Sequence, residues 1–261
     1  MKQMIYQVYV GKPSKLYEHC TASVAMYCQE HGIDHIVQKT PILKIKPDIF
    51  TTNRSKESYE KHGGFLPIYE KENAFDYFDR YDQICIVDAD IFIRPGSPNI
   101  FDELHPNVDF AGVIERDMPI QDWYAQKIIN YSQMQYGPLH SNSSDFKPNK
   151  LGFEFYNMGL MLMNKSIVKK MKAPSARAFI ERPDFKDFVD GKGAWKWSTD
   201  QTLLNYWIRK DGVVEQHLDW KWNALFTAVK DPKSAHFVHF FLKDKLPNRG
   251  ENVEELMNHV S

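Results

Sequence analysis

Apolar and polar positions first fall into a β-like run over Met4–Val10, closed by Gly11-Lys12-Pro13. Beyond Ser14, which is placed to cap a helix, Leu16, Cys20, Val24 and Cys28 recur at every fourth position. That spacing lines one helical face through about His31. Gly32 stops the helix and "IDHIVQK" is a second strand, so the chain opens as a βαβ unit and predicts a parallel sheet covered by helices. Residues 41–66 lose the periodicity, and "TTNRSKESYEKHGG" reads as a loop or a broken helix. "PIYEKENAFDYFDRY" is helical, with Ala74, Tyr77, Phe78 and Tyr81 on one stripe. It delivers the chain to an apolar strand, Gln83–Val87, which runs straight into Asp88-Ala89-Asp90.

The second half alternates in the same manner. "RPGSPNIFDEL" is a turn and a short helix, "VDFAGVIER" a strand, and residues 135–150 the most loop-like region, suited to a lid or an acceptor loop. "EFYNMGLMLMNKS" is a strand containing Asn157 and Gly159. "STDQTLLNYWIRKDG" is a helix entered through Ser198/Thr199 and closed by Gly212. "SAHFVHFFLKDKLP" gives a further strand with a basic exit loop, and "NVEELMNHV" a short amphipathic helix. No repeat, low-complexity tract or linker interrupts this order, so the 261 residues read as a single α/β domain.

Composition narrows the partners. Thirty-three Lys and Arg stand against 34 Asp and Glu, a formal charge of −1, which excludes the basic excess of a nucleic-acid-binding surface. Three cysteines, Cys20, Cys28 and Cys85, are too few for a disulfide framework and lack metal-ligand spacing; they fit a reducing compartment. The N-terminal apolar run is too short for a signal peptide, and no stretch approaches the roughly 20 apolar residues of a membrane span. The expectation is a cytoplasmic protein with at most a peripheral membrane contact.

The chemistry begins at Asp88 and Asp90. Side chains two apart on an extended segment point to one side, and ligands of open α/β sheets sit outside the carboxyl ends of strands. Paired carboxylates there suit Mn²⁺ or Mg²⁺, which take oxygen ligands together with substrate phosphates. Two other readings stay open on this stretch alone: solvated acids capping a turn, or a phosphatase of haloacid-dehalogenase type with Asp88 as nucleophile. The phosphatase pattern wants Thr two residues after the second acid, and the chain has Phe92.

Three later segments, "FYNMGLMLMN", "STDQTLLN" and "HFFLKDK", follow in order. With "YDQICIVDADIFIRP" they resemble the retaining glycosyltransferases of family 8 and related GT-A enzymes over roughly residues 68–247. The matches are Asp88-Ala89-Asp90, Asn157-Met158-Gly159, Asp200-Gln201, and His239 with Lys245. The resemblance implies a GT-A type, Rossmann-like α/β fold with a mostly parallel central sheet. Residues 1–110 would form the nucleotide-binding part and 111–250 the acceptor and donor-sugar part. It implies a metal site of Asp88, Asp90 and His239, with His236 left as a core histidine. It also places Val8, Tyr9, Lys71, Ala89, Asn157, Gly159 and Lys245 against a nucleotide-diphosphate sugar, and makes Asp200 and Gln201 the catalytic pair, Asp200 on the donor-sugar hydroxyls and Gln201 beside the anomeric carbon. The implied activity is metal-dependent transfer of a hexose, UDP-linked, to a glycan, lipid-linked or other hydroxyl acceptor with retention; a non-catalytic sugar-nucleotide-binding protein is the other alternative. Two departures stand out. The family's glycine after the histidine is Leu242, and its Lys-Pro-Trp is Lys245-Leu246-Pro247.

Overall fold

A computed structural model describes residues 1–261 apart from 12–13, 48–59, 61–62, 141–145, 198 and 261. Ser198 and most of "TTNRSKESYEKHGG" therefore lie outside the described residues. The strands are β1 (Gln3–Val8), β2 (Asp34–Gln38), β3 (Gln83–Val87), β4 (Ile91–Ile93), β5 (Phe110–Ile114), β6 (Pro148–Asn149), β7 (Gly152–Phe153), β8 (Tyr156–Asn164), β9 (Glu215–His217), β10 (Ala224–Leu225) and β11 (Phe237–His239). The longer helices are α1 (Lys15–His31), α2 (Asp122–His140), α3 (Asp200–Lys210) and α4 (Val253–Val260).

The central sheet has the order β2-β1-β3-β8-β5-β9. Its β1–β2, β1–β3 and β5–β9 pairs are parallel; β8 alone runs against its neighbours β3 and β5. Strand β3 is buried throughout, and β8 is buried from Tyr156 to Met163, as their near-continuous apolar runs require. Reversing β8 has a consequence for the site. Leu160 pairs with Val87 and Tyr156 with Ile114, so the beginning of β8 lies at the carboxyl ends of β3 and β5. Asn157 and Gly159 thereby meet the acids that follow β3.

A smaller sheet, β10-β11-β4, completes the arrangement. Strand β4 leaves the acidic turn and pairs antiparallel with β11, setting His239 opposite Ile91. Phe240 N–H donates to the Asp90 carbonyl at 2.9 Å. One hydrophobic core runs from Met4 to Val260, and the acidic residue Glu251 ties the C-terminal segment to α1 by accepting from Ser14 Oγ at 2.7 Å and Lys15 N–H at 3.0 Å.

Two segments differ from the pattern read along the chain. Pro67–Asp79 is wound as a 3₁₀ helix rather than an α-helix with one buried stripe, and Tyr69, Glu70, Glu72, Asn73, Ala74, Phe75 and Phe78 are all buried. Glu70 explains part of this: its carboxylate accepts from the N–H groups of Ile42, Leu43 and Lys44 at 2.6, 3.0 and 2.7 Å. It anchors the loop whose pattern was illegible. Residues 135–140, expected to be loop, extend α2 despite Pro138. Proline removes a helical hydrogen bond, but Gln135 accepts from Thr202 Oγ1 at 2.9 Å and Tyr136 stacks on Phe146 and Phe155. Those contacts carry the last turn.

Candidate metal and nucleotide-sugar site

Asp88 and Asp90 turn out of β3 at the sheet's carboxyl edge. The Asp88 N–H donates to the Gly159 carbonyl at 2.8 Å, and Ile91 N–H closes the turn on the Asp88 carbonyl at 3.1 Å. His239 reaches the same point from β11. Its Nε2 lies 3.3 Å from Asp90 Oδ1 and 3.8 Å from Asp88 Oδ2. One potential ligand atom from each of the three residues falls within 4.8 Å of the others. Two carboxylates and one imidazole in that space fit a hard or borderline divalent cation.

Gly159 is required by this packing. A Cβ there would stand 2.4 Å from His239 Cε1 and 2.6 Å from Nδ1, so the imidazole lies directly against the glycine backbone. Asp90 and His239 also set each other's charge. Burial opposes ionisation of both, but each stabilises the other: the His239 pKa is raised and the Asp90 pKa lowered. His236 does not join them. It packs on the Trp222 ring at 4.8 Å, and burial lowers its pKa.

Lys71 projects from the 3₁₀ helix into the same region. Its Nζ is 3.0 Å from Asp88 Oδ1, 2.8 Å from Asp200 Oδ2, and donates to the Met158 carbonyl at 2.7 Å. Burial alone would lower the ammonium's pKa, but Asp200 and Asp88 overcome it and the net shift is upward. Asp200, in the first turn of α3 behind the Thr199 cap, has its pKa raised by burial in spite of Lys71. Gln201 holds the site's backbone: Oε1 accepts from Met158 N–H at 3.1 Å, and Nε2 donates to Tyr131 Oη at 3.3 Å.

Above these groups is a cleft of about 280 Å³ whose lining includes Val8, Val10, Tyr17, Lys71, Ala89 and Asp200. Val8, Lys71 and Ala89, expected from the sequence to contact a nucleotide sugar, line this cleft. Tyr9 is turned aside, its hydroxyl against Ser14 and its ring edge-on to Tyr17 at 5.2 Å. Lys245 is also engaged elsewhere, 4.0 Å above the Trp123 ring. Lys243 is the lysine on that turn whose charge interacts with Asp90; burial lowers its pKa although Asp90 works in the other direction. A groove of about 960 Å³ lies between α1, β4 and α4. It is larger and mostly apolar, but its lining includes none of Asp88, Asp90, Asp200 and His239, so chemistry rather than size locates the candidate site.

Several residues escaped the sequence reading. Tyr17 faces the acids from the first turn of α1, and burial, then Asp90 and Asp88, push its hydroxyl upward. Glu115, immediately after β5, is buried and accepts from Asn157 Nδ2 at 2.7 Å and from the Tyr124 hydroxyl. The strand-end rule that picked out Asp88 would have found it too. Asn223 and Lys243 carried no such signal.

No protein-family model matches the chain, and no curated protein does. Solved structures do. A glycosyltransferase involved in glycosylation of the major capsid of PBCV-1 aligns over 98% of this chain and 100% of its own, with TM-score 0.55 and 14% identity. The galactosyltransferase LgtC, solved with donor and acceptor sugar analogues, aligns over 98% of this chain and 95% of its own, with TM-score 0.52 and 14% identity. At that identity the likeness is one of fold. The chain has the α/β architecture of GT-A glycosyltransferases, with its six-stranded sheet flanked by helices.

Proposed function

We propose that this protein is a metal-dependent glycosyltransferase that moves a hexose from a nucleotide-diphosphate sugar, UDP-linked, to an acceptor hydroxyl with retention. The observation that carries the reading is the Asp88–Asp90–His239 set, with ligand atoms within 4.8 Å, at the strand ends of a GT-A fold and beside a cleft. Asp88, Asp90 and His239 would hold Mn²⁺ or Mg²⁺. The cation, when bound, neutralises the diphosphate as negative charge develops on it.

The remaining roles belong to the chain. Val8, Val10 and Tyr17 form the wall for the nucleoside, and Ala89 lets its backbone approach the diphosphate. Lys243, whose Nζ lies 3.7 Å over the ring of cleft-lining Tyr17, would serve a phosphate as a point charge, and Lys245 on the same turn would join it on leaving the Trp123 ring. Asp200 and Lys71 present a charged pair to the sugar hydroxyls, and Gln201 and Asn157 shape the backbone beneath the sugar. Glu115 and Asp200 are both engaged, by Tyr124 and Asn157 and by Lys71. That supports a front-face route in which the leaving phosphate takes the acceptor proton. The division at about residue 110 suits this reading, with His239 returning from the later part to complete the metal set. Three free, buried cysteines agree with a cytoplasmic setting; among the described residues no helix is long and apolar enough to cross a membrane.

The test is incubation with UDP-glucose, UDP-galactose and GDP-mannose, with and without Mn²⁺, reading release of free nucleoside diphosphate. Mn²⁺-dependent release from a UDP-sugar is the expected result. No metal-dependent binding or release with any donor would sink the proposal.

A further inference from the structure

A chain of buried polar groups runs away from the candidate metal site. His239 Nδ1 lies 3.2 Å from Asn223 Oδ1. Asn223 Nδ2 faces Asn157 twice, 3.0 Å from its Oδ1 and 3.3 Å from its carbonyl oxygen. Asn157 Nδ2 donates to Glu115 Oε2 at 2.7 Å, and the Tyr124 hydroxyl donates to the other Glu115 oxygen. Glu115, Asn157, Asn223 and His239 are all buried, Asn223 completely.

The polarity of this chain is determined at its far end. A backbone N–H can only donate, and Gly159 N–H points at one side-chain atom of Asn157 from 3.0 Å. That atom must be the oxygen. The amide nitrogen then faces Glu115, as an acceptor carboxylate oxygen requires. The Asn223 atom lying between two Asn157 oxygens must in turn be its nitrogen. Its oxygen is left facing His239 Nδ1, which must carry the ring proton.

We propose that Asn223 is a positioning residue for the metal site, transmitting the polarity set by Gly159 and Glu115 so that His239 presents Nε2 as a bare lone pair. The inference rests on the metal reading above. Without an acceptor at Nδ1, a neutral imidazole would place its proton on Nε2, 3.3 Å from Asp90 Oδ1 and 3.8 Å from Asp88 Oδ2. It would then donate to the very oxygens meant for a cation. Partners of this kind, on the second nitrogen of a ligating histidine, fix its tautomer and orientation.

Two measurements test it. In ¹⁵N-histidine-labelled, metal-stripped protein at alkaline pH, NMR should show His239 protonated at Nδ1 and bare at Nε2; the opposite tautomer overturns the proposal. Binding of Mn²⁺ alone, followed by the EPR signal of the free ion, should weaken about 10- to 100-fold in Asn223→Leu, with circular dichroism confirming that the variant folds. Equal affinity in a folded variant overturns it, and if the variant does not fold the wild-type tautomer still decides. Wild-type protein that shows the expected tautomer yet binds no Mn²⁺ would instead remove the metal reading beneath it, and the proposed role with it.

Discussion

At the scale of single residues, Gly159 and Leu242 make the sharpest statements. Gly159 has no room for a methyl group because His239 occupies the space. Gly159→Ala should displace the imidazole and reduce Mn²⁺ affinity at least tenfold, measured by titration, while the buried strand keeps the protein folded. Leu242 stands where the family resemblance leads one to expect glycine, and its φ of 57° is the left-handed conformation glycine favours. The turn therefore carries a residue that strains its backbone, by roughly 1–2 kcal/mol. Substitutions there should rank by backbone rather than by hydrophobicity. Leu242→Asn should be tolerated better than Leu242→Val, because Asn adopts this conformation and a β-branched residue does so poorly. Thermal melts giving the reverse order would show that packing, not φ, governs the position.

At the scale of elements, the site depends on pairs of charges brought from different segments. Lys71 is held between Asp88 and Asp200 and is itself almost wholly enclosed. Lys71→Met should cost roughly 3–5 kcal/mol, the usual penalty for stranding a buried charge. Adding Asp200→Asn to that variant should recover part of the loss, measured by urea unfolding. The β4–β11 pair carries a pH signature. His239, raised above its ordinary value of 6.5, stabilises the folded state fully below that value and loses the contribution as pH rises through its folded pKa. Asp90, held below its ordinary 3.8, contributes above that value and is lost as pH falls through its folded pKa. The metal-free protein should therefore melt at lower temperature as pH is raised above 6.5. Mn²⁺ affinity should move the other way, because only the neutral imidazole ligates. Melting curves and Mn²⁺ titrations across that window should slope in opposite directions.

For the whole molecule, the GT-A architecture and the proposed donor chemistry meet in one measurable property. UDP with Mn²⁺ should raise the melting temperature of the native protein by mass action. Asp90→Asn should remove that shift and the release of nucleoside diphosphate while leaving the circular dichroism spectrum unchanged. A persistent shift in the variant would show that Asp90 is no part of the donor site.

Much of this was legible along the chain because local chemistry specifies it. The βαβ opening, the apolar run into Asp88-Ala89-Asp90, and the Ser14 and Thr199 caps depend on neighbours a few residues away, whereas the order of the Asn-x-Gly, Asp-Gln and His segments was legible through a family resemblance. The 3₁₀ winding of Pro67–Asp79 and the persistence of α2 through Pro138 did not show, because burial of Glu70, Gln135 and Tyr136 outweighs local preference. Nor did the turning of Tyr9 and Lys245 onto Tyr17 and Trp123, or the proximity of Lys243 to Asp90. The amino-acid order alone determined which chemical groups the protein carries and the class of fold that would hold them. Only the tertiary structure decided which groups meet: an antiparallel β8 brings Gly159 under His239, and Asn223 comes to face Nδ1 from a segment with no distinguishing pattern. Contacts between distant segments are set by sheet register and packing, which no short window of sequence contains.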